Sequence, residues 1–188
     1  MRDDQRDARE VPEERTLAFS DEQSLGSVYL RPWGETGDDG WRSFEEAQSV
    51  VTIPAGQQIL LEFATTDPLA LATLAEFAPD ALQSLDHSMT PFTDDQLIYL
   101  RGLIGLRELD LTDTRITDAG LRHLRPLVQL RRLLLGETNV TALGLAHLSA
   151  LPRLRFVDIG NMPIADTTKE WLDELLPGCI IEGGLVVK

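Results

Sequence analysis

The chain has 188 residues, 43% of them hydrophobic, which is enough for one domain with a sizeable core. Its formal net charge of −14 argues against nucleic acid or an anionic membrane as the main partner, because phosphate binding requires clustered lysine and arginine. The one cysteine, Cys179, excludes an intrachain disulfide and fits a reducing compartment.

The first 25 residues are rich in charge and poor in large apolar side chains, with eight acidic and four basic residues. A segment of this composition cannot bury enough surface to offset its ordering entropy, so we predict a disordered, charged tail over residues 1–25. The segment lacks the apolar core of a secretory signal, and the chain contains no run of about 18 apolar residues that could span a membrane. We therefore expect a soluble, cytoplasmic protein.

Three short β-branched and aromatic runs bounded by glycine or proline follow, and each predicts a strand. The runs are GSVYLRP (26–32), SVVTIP (49–54) and QQILLEF (57–63). Between the first two, SFEEAQS predicts a short helix with Ser43 as its N-cap.

A second helix is predicted by DPLALATLAEFAPDAL, in which Asp67 before Pro68 is a start signal. Its Leu69, Leu74 and Phe77 recur at roughly helical spacing. We interpret residues 26–81 as a small, mainly β N-terminal cap.

From residue 82 onward the chain repeats itself with a fixed period, the interval from Leu85 to Leu109. The columns are Leu85, Leu109, Leu133, Val157 and Ile181; Thr90, Thr114 and Thr138; Phe92, Ile116, Val140 and Ile164; Leu100, Leu124, Leu148 and Leu172; and Leu103, Leu127, Leu151 and Leu175. A fixed period in the twenties is typical of stacked supersecondary units. In each unit an alternating strand such as LRELDL precedes a helical stripe such as ITDAGLRHLRPL, so stacking buries a continuous leucine core.

These repeats resemble the leucine-rich repeat family, in a form typical of bacteria. LRELDL (106–111), LRRLLL (130–135) and LRFVDI (154–159) fit its L-x-x-L-x-L pattern. The resemblance covers residues 82 to about 182, with Leu61 as a degenerate first rung. It implies an α/β right-handed solenoid, a short horseshoe with a parallel concave sheet and convex helices, over residues 82–188 with a C-terminal capping strand.

The chain departs from the family pattern at several positions. Thr90, Thr114 and Thr138 stand where the family usually has asparagine or cysteine, and Met162 breaks that column. His87 occupies the position of a buried leucine, and Gly178 replaces the first leucine of the last rung. Atypical first and last units are expected of capping repeats.

We interpret the aspartates of TDTRITD (112–118) as residues that stabilise the repeat scaffold, in preference to metal ligands. Thr117 is a plausible N-cap, and Asp118 lies in the first helical turn, where the helix dipole favours negative charge. A zinc site at His123 and His147 is disfavoured, because Tyr99 and Trp171 fill the same column in the flanking repeats. No Walker, Gly-x-Ser-x-Gly or His-Glu-x-x-His motif occurs, so we predict no catalytic residue, no metal and no cofactor.

The residues between the buried strand leucines point to the concave face, and they form the candidate site. The predicted partner-binding residues are Asp86, Glu108, Asp110, Arg132, Leu134, Phe156 and Asp158. An aromatic and an aliphatic anchor beside an arginine, surrounded by charge, are typical of an interaction hot spot.

The resemblance and this surface together predict a non-enzymatic module that binds a protein partner. One alternative is an inhibitor or immunity protein of the ribonuclease-inhibitor type, acting on a basic enzyme. Another is an enzyme or metal-binding protein that uses Glu35, Asp38 and Asp39, with Trp33 and Trp41 flanking a ligand. The identity of the partner and the oligomeric state are left open.

Overall fold

The computed structural model describes residues 11–19, 24–35 and 40–186. Twelve short β-strands occur within these ranges. They are β1 (Arg15–Ala18), β2 (Gly26–Pro32), β3 (Arg42–Glu46), β4 (Val50–Ile53), β5 (Gln57–Phe63), β6 (Ser84–Asp86), β7 (Glu108–Asp110), β8 (Arg132–Leu134), β9 (Phe156–Asp158), β10 (Pro163–Ile164), β11 (Ile180–Glu182) and β12 (Leu185–Val186).

The helical segments between these strands are short and mostly of the 3₁₀ type. They are α1 (Pro68–Ala72), α2 (Asp118–Leu121) and α3 (Asp166–Leu175), with 3₁₀ segments at Thr73–Glu76, Asp94–Leu100, Arg122–Leu124 and Gly144–Ala150. The sequence predicted α-helical stripes here, and the structure has 3₁₀ turns in most repeats. A 3₁₀ segment rises about 2.0 Å per residue, more than an α-helix, so it covers the return path of a short repeat with fewer residues.

Eight strands form one mostly parallel sheet in the order β11-β9-β8-β7-β6-β5-β2-β3. Every pair from β5 to β11 is parallel, whereas β2 runs antiparallel to both β5 and β3. The register advances by one full repeat at each parallel pair, through Leu61, Leu85, Leu109, Leu133, Val157 and Ile181. The predicted period, including the first rung at Leu61, is therefore confirmed in the strand pairing.

The predicted helix at SFEEAQS is wrong, because β3 occupies most of this segment. Strand β3 pairs antiparallel with β2, and the following Ala47 is fully buried and donates its N–H to the Gly26 carbonyl at 2.9 Å. Without this pairing the outer backbone groups of β2 would lack partners, so sheet pairing overrides local helix propensity.

The predicted disordered tail is wrong for the part of it that the structure describes beyond residue 14. Strand β1 pairs antiparallel with β4. Leu17 and Phe19 are buried, and the Phe19 ring meets Phe77 edge-on at 5.5 Å. The many charged residues around this short apolar strand gave the segment the composition of a disordered tail. Residues 1–10 and 20–23 of the predicted tail lie outside the described residues.

The helix after β5 begins as expected, and one of its predicted core residues is misplaced. Asp67 accepts a hydrogen bond from the Leu69 N–H, which confirms it as the N-cap of α1. Leu69 is nevertheless 79% exposed, whereas Leu71 and Leu74 are fully buried. The stripe shifts because the α-helix ends at Ala72 and continues as a 3₁₀ turn, which changes the angular spacing of the side chains.

The aspartates of the repeats connect one unit to the next. Asp94 accepts hydrogen bonds from the Thr117 N–H at 2.8 Å and from the Thr117 hydroxyl at 2.6 Å. Asp118 contacts Thr141 in the same way, at 2.7 Å for both bonds. Thr117 is also confirmed as an N-cap, since it accepts from the Ala119 N–H at 3.2 Å. These bonds support the scaffold interpretation for Asp118, and they add a cross-repeat contact that helix-dipole reasoning did not include.

The hydroxyls of the threonine column act within their own repeats. Thr90, Thr114 and Thr138 each donate to the carbonyl three residues earlier, at 2.6–2.7 Å. Each bond closes the turn that follows a repeat strand.

Candidate functional site

The open face of the eight-stranded sheet is the face turned away from the leucine core. On β7 the central Leu109 is fully buried, while its neighbours Glu108 and Asp110 are half-buried. The same alternation recurs on β8 and β9. Because neighbouring strands lie about 4.8 Å apart and in register, the open face carries straight rows of side chains.

Two rows cross the open face from β5 to β11. The first row is Leu60, Ser84, Glu108, Arg132, Phe156 and Ile180, and the second row is Glu62, Asp86, Asp110, Leu134, Asp158 and Glu182. All seven residues of the sequence-predicted binding set belong to these rows. The structure therefore brings them onto one surface, with Leu134 as the apolar member of an otherwise acidic second row.

A groove of about 270 Å³ opens on this face above β5 to β8. Its lining includes the predicted residues Asp86, Glu108, Asp110, Arg132 and Leu134, together with Trp41, Leu60 and Ser84. Phe156 and Asp158 lie beyond this lining, on β9. The Arg132 guanidinium stands 4.4 Å from the centre of the Phe156 ring, a cation–π contact that joins Phe156 to the edge of the groove.

A buried arginine that the sequence did not single out holds one wall of the groove. The Arg31 side chain is only 1% exposed, and its guanidinium forms a 3.1 Å ion pair with Glu108. It also lies 4.0 Å from the centre of the Trp41 ring. The pair neutralises Glu108 and orients Trp41, so the wall depends on a residue from the antiparallel strand β2.

The repeat period pointed to one of the missed lining residues. Leu60 lies one full repeat before Ser84 and pairs with it in the sheet, so extending the first row backwards would have found it. Nothing periodic marks Trp41 or Arg31, because they belong to segments outside the repeat. The pairing of β2 with β5 brings Arg31 to this surface, and the pairing of β3 with β2 brings Trp41, which directly precedes β3.

Three aspartates of the second row each close a turn at the end of a strand. Asp86 accepts from the Ser88 N–H at 2.7 Å, Asp110 from the Thr112 N–H at 2.8 Å, and Asp158 from the Gly160 N–H at 2.8 Å. Each bond uses one carboxylate oxygen, Oδ1. These bonds have a structural role, and the Thr112 side chain adds a second hydrogen bond to Asp110.

The electrostatic environment of Asp110 is unfavourable to its negative charge. Burial raises the pKa of this carboxyl above its ordinary value. The hydrogen bonds from Thr112 oppose this shift, while the charges of Asp86 and Asp158 raise the pKa further. A cation placed at this point of the second row would relieve both the desolvation and the repulsion between the carboxylates.

The two tryptophans of the acidic N-terminal loop contact different arginines. Trp41 lies against Arg31, whereas Trp33 stacks on Arg107 at 4.5 Å. Glu35 contributes its backbone carbonyl to a 2.8 Å hydrogen bond from Gln58. Asp38 and Asp39, the other proposed ligands, lie outside the described residues.

The remaining candidate groups are dispersed. His123 and His147 are half-buried on the helical side, and Cys179 is a half-buried free thiol whose pKa is raised by burial. Across residues 11–19, 24–35 and 40–186, no cluster of three or more histidine, cysteine or acidic side chains has a geometry that would hold a metal ion. No helix in the same ranges is long and apolar enough to cross a membrane.

Comparison with known proteins gives similarity at the level of structure. No family model matches the chain, and no curated protein sequence matches it. Among solved structures, the chain is similar to an internalin from Listeria monocytogenes, at 18% sequence identity and a TM-score of 0.48. The match covers 70% of this chain and 36% of the internalin chain, so this chain spans about a third of that protein's length.

Proposed function

We propose that this chain is a non-enzymatic leucine-rich repeat module that binds a protein partner on the open face of its sheet. The observation that carries the proposal is the groove with its two rows. It combines apolar anchors, an arginine and a set of carboxylates on one continuous surface. Rigid sheets with such rows are well suited to hold a second protein, because the side chains are fixed before binding.

The proposal includes the architecture of a short right-handed solenoid. The constant register of the parallel strands and the single leucine core support it, because each unit buries its apolar side only by stacking on the next. In this proposal residues 26–81 form an N-terminal cap and residues 82–188 form the repeat domain. The parallel pairing of β5 with β6 joins the two parts across that boundary.

The dimensions of the groove favour a protein over a small molecule. Pockets for drug-sized ligands enclose about 300–1,000 Å³ and cover most of the ligand. The groove has about 270 Å³ and lies on an open sheet. It suits one or two side chains of a larger partner, whose remaining contacts would fall on Phe156 and on Ile180, which is 61% exposed.

Catalysis finds little support among the same residues. Glu108 is neutralised by Arg31, and the three aspartates of the second row hold strand-end turns. A general acid or base needs a group that is free to give a proton to the substrate or take one from it. The acidic second row instead favours, as a second candidate, an inhibitor that covers a basic enzyme.

The test is capture of a partner from the native cell extract with paired leucine and isoleucine variants. Leu134→Glu and Ile180→Glu place a carboxylate on the open face. Leu143→Glu places one on the helical side, where Leu143 is 78% exposed. We expect the two open-face variants to weaken binding of the captured protein by about thirtyfold or more, the effect of losing a hot-spot side chain.

Circular dichroism would verify that all three variants are folded. The proposal predicts that Leu143→Glu binds as the unchanged protein does. Equal binding by all three variants would place the interaction elsewhere on the molecule. Failure of the unchanged protein to capture a specific partner would count against the module itself.

A further inference from the structure

We infer that the groove receives a lysine or arginine side chain of the partner, whose cationic head lies against Asp86 and Asp110. This inference rests on the proposed function and adds the chemistry of its central contact. The occupant is a single long cationic side chain on a protein surface.

The position of the two carboxylates suits one shared cation. Asp86 and Asp110 are register partners on adjacent parallel strands, which lie about 4.8 Å apart. Each already uses Oδ1 for a turn, and Asp110 also accepts a hydrogen bond from the Thr112 side chain, but a carboxylate has acceptor sites for further donors. A guanidinium or ammonium group between them would supply such donors to both carboxylates.

The walls of the groove suit the aliphatic part of such a side chain. Trp41 and Leu60 offer apolar surface on the β5 side, and Leu134 borders Asp110 on the β8 side. Ser84, between Leu60 and Glu108 in the first row, is small and leaves room above the sheet. Lysine and arginine bury their methylene groups along apolar surface of this kind while the charged head reaches polar groups.

The charges around the groove favour a cation over an anion. Glu108 and Arg31 form an ion pair and cancel each other. Arg132 also lines the groove, and its guanidinium lies over the Phe156 ring of β9. The second row continues with Glu62 beyond Asp86 and with Asp158 beyond Leu134. The second row therefore carries a run of negative charge that is not balanced by basic residues of the row itself.

The experiment uses two capped tripeptides that differ only in charge. Acetyl-Leu-Arg-Leu-amide carries the guanidinium, and acetyl-Leu-citrulline-Leu-amide replaces it with a neutral urea of the same shape. Each would be titrated into the full chain labelled with nitrogen-15, and the amide and indole signals would be followed by nuclear magnetic resonance. We expect the arginine peptide to shift the signals of Asp86, Asp110 and the Trp41 indole, with the citrulline peptide about tenfold weaker.

Two isosteric variants separate the groove from the general acidity of the face. Asp110→Asn keeps the Oδ1 that accepts from Thr112 and removes the charge in the groove. Glu182→Gln removes one charge from the same row on β11, outside the groove. We expect Asp110→Asn to weaken the arginine peptide about fivefold or more, and Glu182→Gln to weaken it less than about twofold.

Other results would overturn the inference in distinguishable ways. Equal binding of the two peptides would show an apolar docking groove and leave the proposed function standing. If both variants bound the arginine peptide equally weakly, the preference for a cation would come from the negative charge of the whole open face. If neither peptide bound at the groove, the inferred cationic contact would be wrong. Partner capture with Leu134→Glu would still test the proposed function separately.

Discussion

His87 stands where the repeats have a leucine, and its burial makes stability depend on pH. The side chain is fully buried between Phe63 at 4.7 Å and Phe92 at 4.1 Å, and neither ring nitrogen has a hydrogen-bond partner in the described residues. Burial lowers the pKa of His87 from 6.5 to about 3. The unfolded chain therefore binds a proton that the folded chain excludes, and this costs stability as pH falls below about 6.5.

We predict that His87→Leu is more stable than the unchanged protein at pH 7.5, by about 1–3 kcal/mol, because it removes unpaired buried polar atoms. The stability difference should widen by about 2 kcal/mol at pH 5, since each unit of pH below the unfolded pKa costs about 1.4 kcal/mol. Urea unfolding at the two pH values measures both effects. His147→Gln, which removes a half-buried histidine of the helical side, serves as the control. The burial argument would be contradicted if the stability difference between His87→Leu and the unchanged protein were the same at both pH values.

At the scale of elements, the short helical turns are held together by contacts from one repeat to the next. Asp94 binds the backbone and the hydroxyl of Thr117, and a Cβ added at the buried Gly120 would overlap the Asp94 carboxylate. Two repeats after Asp94, the same position holds Ala142 instead of an aspartate. In the repeat that follows Ala142, the positions of Thr117 and Gly120 hold Ala165 and Thr168. The three residue types disappear together because they make one contact.

We predict that Gly120→Ala destabilises the protein, although alanine normally stabilises a helix by about 1 kcal/mol relative to glycine. In an Asp94→Ala background the same change should cost much less, because the overlapping carboxylate is gone and the remaining close atom, 3.0 Å from the added Cβ, is the flexible end of the Leu97 side chain. A double-mutant cycle measured by chemical denaturation gives the coupling, which we expect to exceed about 1 kcal/mol. Gly102→Ala, where no atom lies near the added Cβ, serves as the control. Additive effects of Asp94→Ala and Gly120→Ala would refute the contact.

At the scale of the whole molecule, one sheet and one leucine core run through both the N-terminal strands and the repeats. We predict that they unfold in a single transition. Trp33 and Trp41 report on the N-terminal part, and Trp171 on α3 reports on the repeats. Leu133→Ala should lower stability by about 2–5 kcal/mol and move the urea midpoint seen by both sets of tryptophans. The variant Trp171→Phe leaves only the N-terminal signal, and the double variant Trp33→Phe, Trp41→Phe leaves only the signal of the repeats. An unchanged N-terminal midpoint in Leu133→Ala would mean that residues 26–81 form an independent unit.

The members of the candidate surface on the repeat strands were predictable from the sequence, whereas Trp41, Arg31 and the contacts among the members were not. Regular spacing identified Asp86, Asp110 and Leu134 as lateral neighbours, because a fixed period sets the register of stacked strands. The same reasoning gave no sign that Arg31 would neutralise Glu108. Arg31 lies on the antiparallel strand β2 and Glu108 on the repeat strand β7. No local sequence pattern indicates that these two strands come close to each other.

The sequence by itself determined the repeat period, the leucine core and the strands β2 and β5, because alternation and spacing act over neighbouring residues. Tertiary structure decided that SFEEAQS pairs as β3, that β1 forms in a charged segment, and that His87 is sealed between two phenylalanines. It also decided that Arg31 and Trp41 form a wall of the groove. These outcomes depend on which distant segments supply backbone partners and exclude water, and burial of that kind is a property of the folded chain as a whole.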